Sequence, residues 1–556
     1  MRIKRTAQGI SLGLYLAALW AVTFRGGASE ILRVFLRLDP ALALGVDLAA
    51  RALAVPLWIA GLAVASCLVW GRAFCGNVCP LGATLDAAGR LVGREKRRSP
   101  ANPVERAGRS RSAGPRRLKY LVLAAMIVSG LAGVSLVFWV SPLSLVTRFY
   151  GLFFFPAAEL TATGVLKGLD PLLEAPALSF LKYASVPGYR FAGQLFIAAF
   201  FGALFFLARR SPRLWCRYVC PAGAVLALCS RRPLVVARRV GEACTECGAC
   251  RRACPMGAIP ADPKATIFSE CIVCRVCAGG CPEKAISFTP WTGSGLPPAA
   301  SREPVSPSRR EFLAAGAVGA GAALTGLTGL WDGVSGDDAG GRPLSPAAVR
   351  PPGAVPEPDF LARCVRCGAC MRACPTNMLQ PDVFSTGWTG LFSPLAVPRR
   401  GGCQPDCTAC GRACPSGAIR ELVAEEKMWA KMGTARISRQ KCLAWEFDKK
   451  CLVCDEVCPY NALQFIRVEG RTVAVPVVLE DKCTGCGWCE RHCPVTAEPA
   501  IVVEPMGAAR LAAGSYREAG RAAGLRIERR PEGAYRDPTP PAPGRPGNDL
   551  PPGFSP

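Results

Sequence analysis

The chain has 556 residues (58.8 kDa) with 30 cysteines, one histidine and 67 Lys/Arg against 41 Asp/Glu, a formal charge of +26. It is too long and too apolar for a small disulfide scaffold. A single histidine excludes bis-histidine haem within one chain and any His-rich catalytic metal site, and no C-x-x-C-H haem-attachment sequence occurs. Thiolate chemistry remains.

The charge is unevenly placed. Residues 1–240 carry 31 basic and 9 acidic side chains, residues 241–556 carry 36 and 32. The basic excess lies between apolar runs, unlike the aromatic-interleaved surface of a nucleic-acid binder. Four apolar stretches, roughly 6–24, 52–70, 120–140 and 191–208, approach the ~20 residues that cross a hydrocarbon core of ~30 Å. Arg2, Lys4 and Arg5, the 71–119 loop (12 basic, 3 acidic) and the 209–239 stretch (8 basic, no acidic) alternate with segments 25–51 and 141–190, which together carry 8 basic and 6 acidic residues. The positive-inside rule predicts a four-helix membrane domain over 1–240 with both ends in the cytoplasm. The alternative is a soluble protein with buried core helices.

The second and fourth stretches are each followed by the same sequence, Cys75-Gly-Asn-Val-Cys79-Pro80-Leu-Gly-Ala and Cys216-Arg-Tyr-Val-Cys220-Pro221-Ala-Gly-Ala. These C-x3-C-P pairs have the placement to converge on one four-thiolate site, either a further metal centre or a redox-active pair of thiols. A plain helix start, with proline at an early position, is the competing reading. Cys67 and Cys229 lie in apolar surroundings and read as small core residues.

Residues 241–288 contain Cys244, Cys247, Cys250, Cys254-Pro255 and Cys271, Cys274, Cys277, Cys281-Pro282. Both sets read C-x2-C-x2-C-x3-C-P, the spacing of two-cluster bacterial ferredoxins, in which the fourth cysteine ligates the other cluster. Cys244, Cys247, Cys250 and Cys281 are therefore assigned to one 4Fe-4S cluster, and Cys271, Cys274, Cys277 and Cys254 to a second. Zinc is the alternative for any four-cysteine set, but this fourth-cysteine-plus-proline spacing argues against it.

A Pro/Ser/Gly linker over 289–311 ends in Ser308-Arg309-Arg310-Glu311-Phe312-Leu313, followed by a mildly apolar Ala/Gly-rich segment, 312–331. This is a twin-arginine pattern and predicts a fifth, signal-anchor-like helix that carries the following residues across the membrane. A cytoplasmic linker with two chance arginines is the alternative. A second linker covers 332–358, a tail covers 507–556, and 8 prolines in the last 19 residues predict disorder from 538.

Residues 359–506 hold four more sets: Cys364, Cys367, Cys370, Cys374; Cys403, Cys407, Cys410, Cys414; Cys442, Cys451, Cys454, Cys458; and Cys483, Cys486, Cys489, Cys493. The outer two are regular and the inner two carry x3 and x8 first spacings. That symmetry predicts nested pairing, the first set exchanging its last cysteine with the fourth and the second with the third; sequential pairing is the alternative. Either way four 4Fe-4S clusters are expected here and six in all. His492 reads as a surface residue beside a cluster. The predicted fold class is thus an α-helical membrane domain, four transmembrane helices plus a fifth anchor, joined to α+β bacterial-ferredoxin-like domains.

With these motifs, residues 1–290 resemble the NapH/MauN-type membrane iron–sulfur proteins. Residues 305–505 resemble the NapG/MauM-type ferredoxins through Cys414-Pro-Ser-Gly-Ala-Ile, Lys431-Met-Gly-Thr-Ala and Asp481-Lys-Cys-Thr-Gly-Cys-Gly-Trp-Cys-Glu. The chain looks like a fusion of the two, and the Cys403-x3-Cys407 spacing departs from the family pattern. The resemblance implies a quinol dehydrogenase module of the bacterial inner membrane. Its partners would be the quinone pool and a periplasmic reductase such as nitrate reductase, with two clusters cytoplasmic and four periplasmic and no nucleic acid bound. An iron–sulfur maturation or maintenance factor for a respiratory metalloenzyme is the alternative. No quinol site declares itself; Glu159, Asp170 and Glu174 are proton-acceptor candidates and equally ordinary loop charges.

Overall fold

Apolar runs become the long helices of the first half. The computed structural model describes residues 2–24, 29–91, 114–168, 188–208, 212–231, 233–235, 237–289, 307–328, 348–496 and 498–530. Its main helices there are α1 (Arg2–Ala21), α2 (Leu57–Trp70), α3 (Leu118–Leu131), α4 (Pro142–Gly168) and α5 (Gln194–Ala208). Helices α1, α2, α3 and α5 occupy the four apolar stretches. At 14, 14 and 15 residues, α2, α3 and α5 rise only about 21–23 Å, less than the ~30 Å hydrocarbon core.

Helix α4 corrects the reading of 141–190 as a loop. At 27 residues it is the one described helix both long and apolar enough to cross a membrane by length and composition. Ser141 caps it by accepting from the Ser144 amide, with Pro142 at its first turn. Arg148 and Glu159 interrupt its hydropathy, but neither charge is left alone. The Arg148 Nε donates to the Arg366 carbonyl and its Nη2 to the Phe138 carbonyl, both at 3.0 Å. Glu159 takes the fully buried guanidinium of Arg372.

The helices run between two ferredoxin-like bodies. At one end of α3, Lys119 bonds Glu270; at the other, Val134 lies beside Gly326, which also meets Trp388 and Thr389. Helix α2 ends at Gly71 and Arg72 against Val273 and Glu270. Helix α5 begins beside Phe392 and Val383 and leads into Arg213, which donates to the Cys75 carbonyl at 2.7 Å. Helix α1 starts with Lys4 on Asp86 (2.7 Å), and beyond its far end Arg33 pairs with Glu421 (2.7 Å) while Arg37 donates to the Pro415 carbonyl. Arg72, Arg116 and Lys119 of the basic segments therefore meet residues 241–289, and segments 29–51, 142–168 and 188–192 meet residues 348 onward.

Helix α6 (Arg309–Thr328) begins at the twin arginines, where Ser308 and Glu311 form a reciprocal capping box. Its 20 residues rise about 30 Å. It lies along α3, from an Arg117–Glu311 pair to Gly326 beside Trp388. Small residues permit the approach: a Cβ on Gly319 would stand 2.3 Å from the Ala125 carbonyl oxygen.

Each ferredoxin-like unit is closed by antiparallel pairing of its two ends. Strand β1 (Ala237–Val240) pairs with β2 (Ile286–Thr289) around the first two cysteine sets. An Ala354–Ile419 bridge closes the next two, with β3 (Leu379–Pro381) on β4 (Pro394–Ala396) inside. Strand β5 (Thr434–Ile437) pairs with β8 (Ile501–Glu504) around the last two, with β6 (Leu463–Ile466) on β7 (Val475–Val478). Residues 507–530, expected as the start of the tail, fold back onto this body: Tyr516 is fully buried, and Arg510 bonds Glu357 at 2.6 Å.

Two substitutions test this packing in the detergent-solubilised protein. Gly319→Leu drives a side chain into the α3 backbone and should lower stability by about 1–3 kcal/mol. Glu159→Ala strands a buried guanidinium and should lower it by about 3–5 kcal/mol. Thermal unfolding of each variant beside Gly316→Ala, whose added Cβ meets only Val128 at 3.8 Å, provides the check.

Candidate functional site: cysteine-lined cavities

In each ferredoxin-like unit a short turn presents three cysteines and a C-P turn sends the fourth away. The result is a series of four-thiol cavities. Cys244, Cys247, Cys250 and Cys281 line one of about 320 Å³, and Cys254, Cys271, Cys274 and Cys277 line one of about 370 Å³. Cys364, Cys367, Cys370 and Cys414 enclose about 320 Å³. Cys458, Cys483, Cys486 and Cys489 enclose about 320 Å³, and Cys442, Cys451, Cys454 and Cys493 about 400 Å³. Cys374 stands with Cys403, Cys407 and Cys410 as mutual electrostatic neighbours.

The C-terminal pairing is sequential, which overturns the nested expectation. Cys374 joins the second set and Cys414 the first; Cys458 joins the fourth and Cys493 the third. The reason is local closure: the 354–419 bridge and the β5–β8 pair each seal two consecutive sets before the chain reaches the next. The irregular spacings are absorbed locally. The x8 insertion holds a one-turn helix, Leu443–Glu446, pinned by Trp445 Nε1 on the Pro476 carbonyl. Cys403 is drawn toward the fourth set: its amide donates to the Cys486 carbonyl at 2.8 Å, and its carbonyl accepts from Trp488 Nε1 at 3.1 Å.

The cavities suit a cluster better than a single ion. Among the described residues no group of three or more His, Cys, Asp or Glu side chains converges tightly enough to hold one metal ion, as tetrahedral zinc with ~2.3 Å Zn–S bonds would require. Backbone amides meet the fourth sulfurs: Ala258 to Cys254 at 3.3 Å, Ile419 to Cys414 at 3.5 Å, Ala462 to Cys458 at 3.4 Å and Ala500 to Cys493 at 3.3 Å. Such N–H···S bonds tune cluster potential. Burial pushes the Cys277 thiol up to about 11 and those of Cys367 and Cys454 up to about 12. These groups are protonated at neutral pH until an iron cluster takes them as thiolates.

The C-terminal cavities adjoin one another in series. Cys370 neighbours Cys410, Cys486 neighbours Cys403, and Cys489 neighbours Cys454. The order is the first set, the second, the fourth, then the third.

The two C-x3-C-P pairs also come together. Cys79 has Cys216 and Cys75 as electrostatic neighbours, and Cys220 has the same two. Pro80 and Pro221 do start helices, Pro80–Leu91 and Pro221–Cys229. Cys67 is buried and Cys229 half-buried. His492 is exposed and stacks on Trp488. Glu159 is held by Arg372; Asp170 and Glu174 lie outside the described residues. Sequence reading missed the buried arginines Arg72 and Arg213. The signal was present, since each stands three residues before its repeat's first cysteine, extending the motif to R-x2-C-x3-C-P.

Paired four-thiol cavities closed by short antiparallel strands define a ferredoxin-type iron–sulfur protein. Family descriptions agree for two stretches, a 4Fe-4S dicluster domain matching 448–497 and a 4Fe-4S binding domain matching 360–380; a further 4Fe-4S binding domain matches 52–99 and 193–241, the helical segments that carry the C-x3-C-P repeat. The methylamine utilization ferredoxin-type protein MauM of Methylorubrum extorquens is 40% identical over 210 residues, 36% of this chain and 91% of that protein. MauM of Paracoccus denitrificans is 39% identical over 170 residues (29% and 74%), and the ferredoxin-type protein NapG of Escherichia coli 36% over 172 (29% and 72%). The chain belongs to this MauM/NapG family of ferredoxin-type electron-transfer proteins, and these matches leave more than half of it uncovered. No solved structure matches.

The crossed cysteines make a spectroscopic prediction. Cys374→Ser should remove the paramagnetic signal of the centre built on Cys403, Cys407 and Cys410 and leave that of the Cys364 set; Cys414→Ser should do the reverse. Electron paramagnetic resonance of the reduced variants distinguishes this from nested pairing, in which Cys374→Ser would disturb the Cys483 set.

Proposed function

We propose that this chain is an inner-membrane protein that oxidises quinol and passes the electrons, one at a time, through six 4Fe-4S clusters toward a periplasmic reductase. In this reading residues 1–240 are a NapH/MauN-type membrane domain, 241–288 a cytoplasmic ferredoxin domain and α6 an anchor leading to the periplasmic unit. The 24 cysteines of the six sets are the cluster ligands. Bound clusters supply one-electron redox chemistry with little change in geometry. The chain's own residues set the environment, amides donating to sulfur and the strands holding each cavity closed. A quinol surrenders two protons with its electrons, so its site lies at a lipid-facing slot with a proton acceptor.

The observation that carries this reading is the opposition of the two ferredoxin-like bodies across helices whose flanks differ in charge. Arg72, Arg116 and Lys119 of the basic segments adjoin one body, and Arg148 and Glu159 of a nearly neutral segment adjoin the other, the asymmetry that the positive-inside rule asks of a spanning unit. An apolar surface supports it: Leu14, Leu62, Leu195, Leu313, Val318 and Leu327 are all more than half exposed, and Trp20, Trp58 and Trp70 stand near helix ends. The resemblance to nitrate-reductase electron carriers supplies the acceptor class.

Protease treatment of oriented vesicles tests the topology. Residues 360–500 should be cut in right-side-out vesicles only; cleavage in inside-out vesicles would remove the periplasmic assignment. Addition of a short-chain quinol to anaerobic purified protein should reduce the clusters within seconds. No reduction by either ubiquinol or menaquinol analogues would leave electron transfer without quinol oxidation.

A further inference from the structure

The two cavities of the inner ferredoxin body share a wall, and one arginine reaches both sides of it. Cys250 and Pro263 line the cavity of the Cys244 set, and Arg238 and Thr266 line the cavity of the Cys271 set. The Arg238 guanidinium contacts both linings. Its Nη2 donates to the Pro263 carbonyl at 2.9 Å and lies 3.6 Å from Cys250 Sγ. Its Nη1 donates to Thr266 Oγ1 at 2.9 Å and to the Ala265 carbonyl at 3.3 Å. The side chain comes from β1, opposite Phe288 of β2, and Phe288 also lines the second cavity.

A cation in this place is costly. Arg238 is 3% exposed, and among the described residues no carboxylate pairs with it. Its carbonyl and hydroxyl partners satisfy N–H groups without supplying negative charge, and its Nε has no partner. A buried charge left in that state is strongly destabilising. Nor do the closing strands demand an arginine. At the same register of the pair that closes the last two sets, Ala435 stands opposite Val503. The negative charge within reach of Arg238 is sulfur: Cys250 by direct contact, and Cys277 across the cavity that both residues line. Neutral thiols would leave the guanidinium uncompensated, whereas thiolates held in a metal centre compensate it.

We infer that Arg238 tunes the two centres of the inner body together, raising the reduction potential of both and most strongly that of the one ligated by Cys250. Reduction adds one negative charge to a centre and moves no proton, so a fixed cation at the common wall favours it on either side. The charge on Arg238 does not change, because a guanidinium stays protonated in proteins. The same side chain ties residues 263–266, which connect the two cysteine sets, to β1. The inference rests on the reading of the Cys244 and Cys271 sets as cluster ligands, and neither on quinol as the donor nor on the membrane.

Redox titration of the anaerobically purified full chain, followed by electron paramagnetic resonance, separates the charge from the tie. The two signals are assigned by their loss in Cys244→Ser and Cys271→Ser; if neither variant lost a signal, the ligand reading beneath the inference would fall. Arg238→Gln keeps a donor to the connecting residues and removes the charge. It should lower the reduction equilibrium constant of the Cys250 centre by about tenfold or more, which is ~59 mV for one electron. The constant of the Cys271 centre should fall by a smaller factor, and that of the Cys364 set should stay as in wild type. Arg238→Lys keeps the charge and should hold both inner constants within about threefold of wild type. Unchanged potentials in a fully loaded Arg238→Gln protein would overturn the inference. So would a tenfold fall in Arg238→Lys, which would make the hydrogen bonds and not the charge the cause, and that reading is available even if Arg238→Gln fails to load its iron.

Discussion

Buried positive charge without enough carboxylate is the constraint around which this molecule is organised. Arg72, Arg213 and Lys119 are enclosed where the helices meet the inner ferredoxin body, and two carboxylates are shared among them. A guanidinium out of water demands a fixed negative partner. Sulfur is the abundant candidate here, with four thiols on the two sides of one repeat. The same logic recurs at the cavities: Arg238 reaches Cys250 Sγ at 3.6 Å, and Lys427 faces Cys403, Cys407 and Cys410.

The fold follows from how that chemistry is held. Ferredoxin-like units own little apolar core, so much of their hydrophobic packing consists of the cysteine cavities themselves and what they rest on. One continuous core runs from Tyr15 and Leu19 through Cys79, Cys216 and Cys220 to Cys364, Cys367 and Cys414. Gly368 packs against Leu152, so a Cβ there would meet that side chain at 3.0 Å. Helix α4 makes this junction possible, because Arg148 donates to the Arg366 carbonyl and Glu159 pairs with Arg372 of the outer body. The two charges within α4 are the charges that dock it.

Much of the candidate site is legible in the sequence. The C-x2-C-x2-C-x3-C-P spacing dictates that three sulfurs face one void and the fourth another, because proline ends the turn and redirects the chain. The pairing order in 359–506 was not legible. Spacing symmetry between the first and fourth sets suggested a nested exchange, but strand closure acts over short contour lengths, where the entropic cost of bringing ends together is smaller. Two sets fold as a unit before the third is reached. The x3 and x8 irregularities mark local features, a link from Cys403 to Trp488 and a helical turn before Cys451.

Composition, spacing and charge by themselves determined that this is thiolate chemistry, how many cysteine sets there are, and where the apolar helices begin. They could do so because ligand spacing and hydropathy are local properties written in consecutive residues. Only the tertiary structure decided that Arg72 and Arg213 cross between repeats, that Tyr15 shares one buried core with Cys79 and Cys367, and that the outer sets pair in order. Those are long-range contacts, chosen by which buried charges and cavities can be satisfied together, and no window along the chain contains them.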